Sequence, residues 1–176
     1  PDTKKAPENI LLIGSDKRSP KFTTALNAGQ RSDTTILLHL ASDRKSAQLV
    51  SIPRDTIVDT PVCHRRDGTS VPAHHAVMFN QAFSDAGAAC TIATVEKLTK
   101  VRIDHHMVVN FGGFKDMVNA LGGVRVCLPQ AVNDPESHLV LSAGIHTVKG
   151  SSALAYVRTR HGIGDGSDLS RIDRQQ

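Results

Sequence analysis

Tryptophan is absent, and one tyrosine (Tyr156) with five phenylalanines brings aromatics to only 3% of the 176 residues. That scarcity argues against the stacking platforms on which single-stranded nucleic acids are held. No apolar run approaches the roughly 20 residues a membrane-spanning helix needs, and the opening PDTKKAPEN lacks the apolar stretch of a signal peptide. The three cysteines, Cys63, Cys90 and Cys127, form no CxxC pair, which disfavours a structural zinc site. Their spacing leaves open inert thiols or one disulfide with a thiol over, and does not say which pair. HExxH is missing, and His74 with His75 and His105 with His106 are adjacent pairs whose side chains diverge on a strand, so the nine histidines read as loop and core residues. There is neither a Walker A sequence nor a GxSxG elbow. Gly162, Gly164 and Gly166 precede a helix, but no strand leads into them and the chain stops before a ribose-binding acid could follow, which excludes a dinucleotide site.

What is present is positive charge. Twenty-one Lys and Arg against 17 Asp and Glu give a net charge of +4 and a pI near 9.2, and clustered Lys and Arg attract phosphates over long range. With so few aromatics, phosphate recognition fits better than base recognition. The length suits one domain over 1–176, able to bury about two-thirds of its unfolded surface. A start at Pro1 without Met and a stop at Gln175 and Gln176, inside what reads as a helix, suggest a fragment trimmed at both ends, so any native anchor would lie outside this sequence.

Hydrophobic periodicity predicts strands at 9–16 (NILLIGSD), 34–41 (TTILLHLA) and 46–55, the last paired with its predecessor as a hairpin and ended by Pro53. A polar, irregular segment follows at 63–75. Helices are predicted at 79–86 and 90–100, broken at Gly87, then a strand at 105–111, a helix at 114–121 closed by Gly122 and Gly123, and a strand at 124–128. A loop at 129–142, a short helix at 151–157 and a last helix from Ser167 complete the chain. Alternating strands and helices imply a layered α/β sandwich.

Two groups of residues carry possible chemistry. YVRTR at 156–160 and SDLSRIDRQQ at 167–176 together hold four arginines. If the chain is extended after Val157, Arg158 and Arg160 share a side, and Asp168, Arg171, Arg174 and Gln175 line one helical face at spacings of three and four. Guanidinium forks match phosphate oxygens, and a helix N-terminus near Ser167 adds partial positive charge. A solvated basic helix has the same pattern. The other group is acidic: Asp16, Asp33 and Asp55 all lie at strand ends, where carboxylates can hold Mg²⁺ through one or two oxygens. Spacing alone equally gives them turn roles.

Taken in order, NILLIGSD, RSDTTILLHL, SIPRD, FNQAFSDAG, TVEKLTKVRIDHHMVVNFGGFKDMVNALGGV, AGIHTVKGSSALAYVRTR and SDLSRIDRQQ resemble the LytR-CpsA-Psr domain from Asn9 to Gln176. The loop at 17–31 is long for that family, and the segment 63–75 does not align with it.

The resemblance implies an α-β-α sandwich around a central mixed sheet, with an apolar cavity for a polyprenyl tail. It also implies a membrane-anchored protein facing outward. The implied activity moves a glycan phosphate from a polyprenyl-pyrophosphate carrier onto a peptidoglycan hydroxyl, with Mg²⁺ or Mn²⁺. The alternatives are a pyrophosphatase with the same site and a nucleic-acid-binding regulator; no recognisable helix-turn-helix supports the latter. By motif position Asp16 and Asp33 take metal-linked roles, Asp33 is also the carboxylate that could accept the acceptor's proton, and Arg54 contacts the pyrophosphate. Arg158, Arg160, Arg171, Arg174 and Gln175 complete the anion site, with Asp168 orienting them or the acceptor. Arg54, Arg158, Arg160 and Arg171 are expected to meet at the mouth of the cavity, walled by Ile92, Val95, Phe114, Val118 and Leu121. An outward-facing location favours a Cys63–Cys90 disulfide, leaving Cys127 as a buried thiol. Valine, alanine and histidine usage and VCLPQ look actinobacterial, which points to arabinogalactan as the glycan.

Overall fold

The computed structural model describes residues 6–15, 32–159 and 163. The chain divides into two compact units, 1–110 and 111–176. The first carries β1 (Glu8–Ser15), β2 (Ser32–Leu40), β3 (Ala47–Ile52), the two-residue strands β4 (Ile57–Val58), β5 (Cys63–His64), β6 (Ser70–Val71) and β7 (Val77–Met78), helix α1 (Gln81–Thr99) and β8 (His105–Asn110). The second carries α2 (Phe111–Ala120), β9 (Val124–Leu128), β10 (Val132–Asp134), β11 (Leu139–Leu141), β12 (Gly144–Val148) and α3 (Gly150–Arg158). This is the expected mixed α/β fold.

In the first unit a four-stranded mixed sheet runs in the order β3-β2-β1-β8. β1 pairs antiparallel with β2, Leu11 opposite Leu37, and parallel with β8, Ile10 beside His105. The β2–β3 hairpin closes through Arg44, whose φ of 58° lies in the left-handed region, with its N–H donating to Ala41 O at 2.9 Å. Gly14 permits close approach: a Cβ there would stand 3.2 Å from Thr34 Cβ, beside the bulge where the β1–β2 register shifts. Alternation gives the sheet two apolar faces. Leu11, Ile13, Leu37 and Ile52 pack with Val58 and with Phe79, Phe83 and Val95 in and around α1 to form the buried core. The opposite face presents Ile10, Leu12, Ile36, Leu38, Leu49 and Met107.

α1 is one helix with a break where it was predicted: Ala86 (φ −148°, ψ 24°) and Gly87 (φ 70°, ψ −152°) are non-helical. It ends at left-handed Lys100, whose N–H donates to Glu96 O at 2.9 Å, and the Glu96 carboxylate takes the Ile103 N–H at 2.9 Å on the way into β8. The segment expected to be irregular contains a small β5–β6 hairpin, joined to α1 by the Cys63–Cys90 disulfide with Cα atoms 5.4 Å apart. Both cysteines are buried with Val71 and Ala82. At the hairpin turn the Thr69 hydroxyl and N–H donate to Asp67 at 2.6 and 2.9 Å and hold its carboxyl below the usual range. Asp59 is also lowered, chiefly by the Ala76 N–H at 3.0 Å, with His75 at 3.1 Å adding to it. These histidines thus meet carboxylates: His74 likewise faces Asp85 at 3.7 Å.

In the second unit α2 begins at Phe111, three residues before the predicted start, because Gly112 and Gly113 are accommodated in its first turn. It closes as a Schellman turn: the Gly123 N–H donates to Val118 O at 2.9 Å and the Gly122 N–H to Asn119 O at 3.0 Å. β9 pairs with β12 and β10 with β11, where a plain loop had been expected over 129–142. Short strands bounded by Pro129, Pro135 and Gly144 hide among turn residues. Val118, Val126, Val148 and Ala153 form one cluster and Leu128, Val132, Leu139 and Ala155 another. Two expectations are overturned here. Cys127 is exposed, since in β9 the buried positions are Val126 and Leu128, and alternation turns the residue between them outward. Leu121 is 75% exposed in the turn after α2 and joins no buried cluster.

Candidate phosphate-binding site

The turn after β3 positions Arg54. Pro53 ends the strand because it has no N–H to give the ladder, and the Thr56 N–H closes the turn on Pro53 O at 3.1 Å. Asn80 N–H donates to Arg54 O at 3.0 Å and Phe79 N–H to Thr56 O at 2.8 Å, so the turn is anchored to the start of α1. The Arg54 side chain reaches Asp33, its Nη1 donating to Oδ1 at 3.0 Å, and its Nε lies 3.4 Å from Asp55 Oδ2. It is 27% exposed. Two carboxylates therefore fix the plane of this guanidinium. Asp33 and Asp55, expected as acids at strand ends, are thus both ion-paired with Arg54.

Asp33 lies next to Ser32, whose hydroxyl pairs with Thr35 Oγ1 at 2.9 Å and whose backbone is opposite Ser15. Asp16, the other acid assigned to metal, lies outside the described residues, so its expected convergence with Asp33 does too. Among the described residues no group of three or more His, Cys, Asp or Glu is arranged to hold a metal ion.

Arg158 is the last residue of α3, where an extended chain had been considered. Its guanidinium carbon sits 4.8 Å from the centre of the Phe111 ring, a cation–π contact that steers an otherwise exposed side chain. At Thr159 the backbone turns extended (φ −54°, ψ 133°), with its N–H bound to Ala155 O at 2.8 Å. Arg160, Asp168, Arg171, Arg174 and Gln175 lie outside the described residues, as do Gly162, Gly164, Gly166 and the predicted helix from Ser167. Of the expected wall residues, Val95 and Val118 are buried, and Ile92 and Phe114 pack against the clusters of their own units.

Sequence reasoning passed over Asp134. Its side chain is fully buried and accepts from Glu136 N at 3.0 Å, Ser137 N at 3.4 Å and Ser137 Oγ at 2.9 Å. In DPES an Asp before Pro reads as a turn former, and that turn is present; the available signal was its place upstream of YVRTR.

The LytR_cpsA_psr family model matches residues 1–176. Cell wall biosynthesis protein LcpA of Corynebacterium glutamicum is 36% identical over 200 residues, covering 96% of this chain and 38% of that protein. The polyisoprenyl-teichoic acid–peptidoglycan teichoic acid transferase TagT of Bacillus subtilis is 35% identical over 173 residues, covering 95% and 49%. The chain thus spans half or less of the length of these relatives. Among solved structures, B. subtilis TagV superposes with a TM-score of 0.75 at 32% identity, covering 98% of this chain and 62% of that one. YwtF (TagT) with bound octaprenyl pyrophosphate lipid gives a TM-score of 0.69 at 31% identity, covering 99% and 62%. A whole-length family match, relatives above 30% identity and the shared fold agree: the chain belongs to the LytR-CpsA-Psr family.

Proposed function

We propose that this chain transfers a glycan phosphate from a polyprenyl-pyrophosphate carrier to a hydroxyl of peptidoglycan, working on the outer side of the membrane behind an N-terminal anchor. The observation that carries this reading is the Arg54 turn, a guanidinium oriented by two carboxylates at the end of the central sheet, in a fold similar to that of a relative solved with octaprenyl pyrophosphate. The apolar sheet face bearing Ile10, Leu12, Ile36 and Leu38 supports a prenyl tail as the rest of the ligand.

The chemistry follows from charge. The acceptor hydroxyl attacks the glycan-side phosphorus, a new P–O bond forms, the bond to the bridging oxygen breaks, and polyprenyl monophosphate leaves with the electron pair. Arg54, with Arg158, Arg160, Arg171, Arg174 and Gln175, binds the phosphate oxygens on which charge shifts. Asp33 orients Arg54 and is the carboxylate assigned to accept the hydroxyl proton, while Asp168 orients the arginines or the acceptor. Mg²⁺ or Mn²⁺ is assigned to Asp33 with Asp16. A hard carboxylate oxygen suits either ion, and Mg²⁺ commonly takes only one or two protein carboxylates beside substrate phosphates, whose charge it neutralises when bound.

Arabinogalactan is the glycan assigned, on residue usage. Product analysis decides the reaction: a polyprenyl-pyrophosphoryl glycan incubated with peptidoglycan should leave phosphate-linked glycan on the wall polymer and release polyprenyl monophosphate. Free glycan phosphate in its place would make the protein a pyrophosphatase. Arabinan- or galactan-bearing donors should turn over faster than teichoic acid donors; the reverse order would overturn the glycan assignment.

A further inference from the structure

The second unit contains a buried polar chain that the transfer chemistry does not use. Asp134, 0% exposed at the end of β10, takes the Ser137 hydroxyl on Oδ2 at 2.9 Å. The Ser137 hydroxyl lies 2.6 Å from that of Thr159, which is also 0% exposed and contacts Ala155 O at 3.0 Å. The other Asp134 oxygen holds the backbone N–H groups of Glu136 and Ser137 and so shapes the β10–β11 turn. A buried carboxylate is expensive unless its oxygens are satisfied, and the turn's N–H groups use only one of the two. What the carboxylate adds is a rigid link from that turn to Thr159, the first residue beyond α3, flanked in sequence by Arg158 and Arg160.

We propose that Asp134, Ser137 and Thr159 act together as positioning residues that fix the end of α3 and hence how Arg158, its last residue, is presented to the pyrophosphate. This rests on the reading of Arg158 as a phosphate ligand. Thr159 turns from helical to extended backbone at this point, and its hydroxyl ties the turn to a hairpin with its own core of Val132 and Leu139. Without that tie, Thr159 loses the hydroxyl contact that links the end of α3 to the β10–β11 turn. Displacing a ligand to a transferring phosphoryl group by about 1 Å can cost on the order of a hundredfold in rate.

The test uses the intact chain with a synthetic polyprenyl-pyrophosphoryl disaccharide and peptidoglycan fragments, following release of polyprenyl monophosphate. Thr159→Val keeps the shape and removes the hydroxyl; kcat should fall about tenfold or more, with KM for the donor changing less than threefold. Thr159→Ser restores the hydroxyl and should recover kcat to within about twofold, a rescue that a purely structural role of the methyl group would not produce. If Thr159→Val does not fold, Ser137→Ala carries the test, because the Thr159 hydroxyl, released from Ser137, can donate to Ala155 O and the helix end is preserved. Unchanged kcat in folded Thr159→Val or Ser137→Ala overturns the inference, provided Arg158→Ala is impaired. If Arg158→Ala is also unimpaired, it is the arginine assignment that fails.

Discussion

Replacing Cys63 and Cys90 together with alanine removes the covalent tie between the β5–β6 hairpin and α1, and the loop it closes sets the size of the effect. The cysteines are 27 residues apart. In the chain-entropy account, a cross-link over a loop of that length restricts the unfolded chain by about 3.5 kcal/mol at 25 °C. For a chain of this size each kcal/mol shifts Tm by roughly 2–4 °C, so the double variant should melt about 7–14 °C below the parent. The assay is thermal and urea unfolding in a Cys127→Ser background, because the exposed Cys127 thiol could otherwise exchange with the disulfide. Amide exchange locates the loss: Arg65 N–H, bonded to Thr69 O at 2.9 Å, should lose protection early, while the β1–β2 ladder keeps its protection relative to global stability. A fall of less than about 2 °C, or loss spread evenly over both units, would refute the reasoning.

Arg54→Ala should abolish transfer at a modest cost in stability. Its ion pairs with Asp33 and Asp55 are partly exposed, and pairs of that kind contribute a fraction of a kcal/mol each, so Tm should drop only about 2–4 °C; a drop above about 10 °C would make Arg54 structural first. Gly123→Ala should cost on the order of 3 kcal/mol in urea unfolding. At φ 106° a Cβ there would stand 2.8 Å from Lys149 Cγ, 2.8 Å from Thr147 Cγ2 and 2.9 Å from Val148 O, and a loss under about 0.5 kcal/mol would contradict that geometry.

Strong local patterns were legible before any coordinates. The β-branched run at 34–41, the stop at Pro53, the break at Gly87 and the glycine pair after α2 each have a local physical cause, and each appears within a residue or two of its expected place. Strands β10, β11 and β12 were missed because three to five residues between prolines and glycines carry too little periodicity to separate strand from loop. Cys127 was misplaced because a strand assignment says nothing of which face a residue takes until the register is known. The Cys63–Cys90 pairing came from location rather than spacing. At the site, the motif singled out Arg54, but its carboxylate partners Asp33 and Asp55 were read as independent acids, since a pair formed across the sheet end leaves no mark in sequence. Asp134 stayed hidden for a related reason: a turn-forming Asp and one that also anchors a distant threonine look alike in a string of letters.

The parallel pairing of β1 with β8 has a kinetic side. Asn9 and Asp104, which exchange backbone and side-chain hydrogen bonds at the edge of that pair, are 95 residues apart, whereas β2 and β3 are joined through residues 41–46. Closing the longer loop costs about 2 kcal/mol more in chain entropy than closing the hairpin. The hairpin should therefore form early and β8 dock late, after α1 has condensed on the Leu11 and Leu37 face of the growing sheet. Until then β1 has a vacant edge, with its ladder groups open to any passing strand. Because the disulfide lies inside the loop, forming it first shortens the path that β8 must close. Oxidation that lags behind collapse would prolong the interval in which that edge invites aggregation.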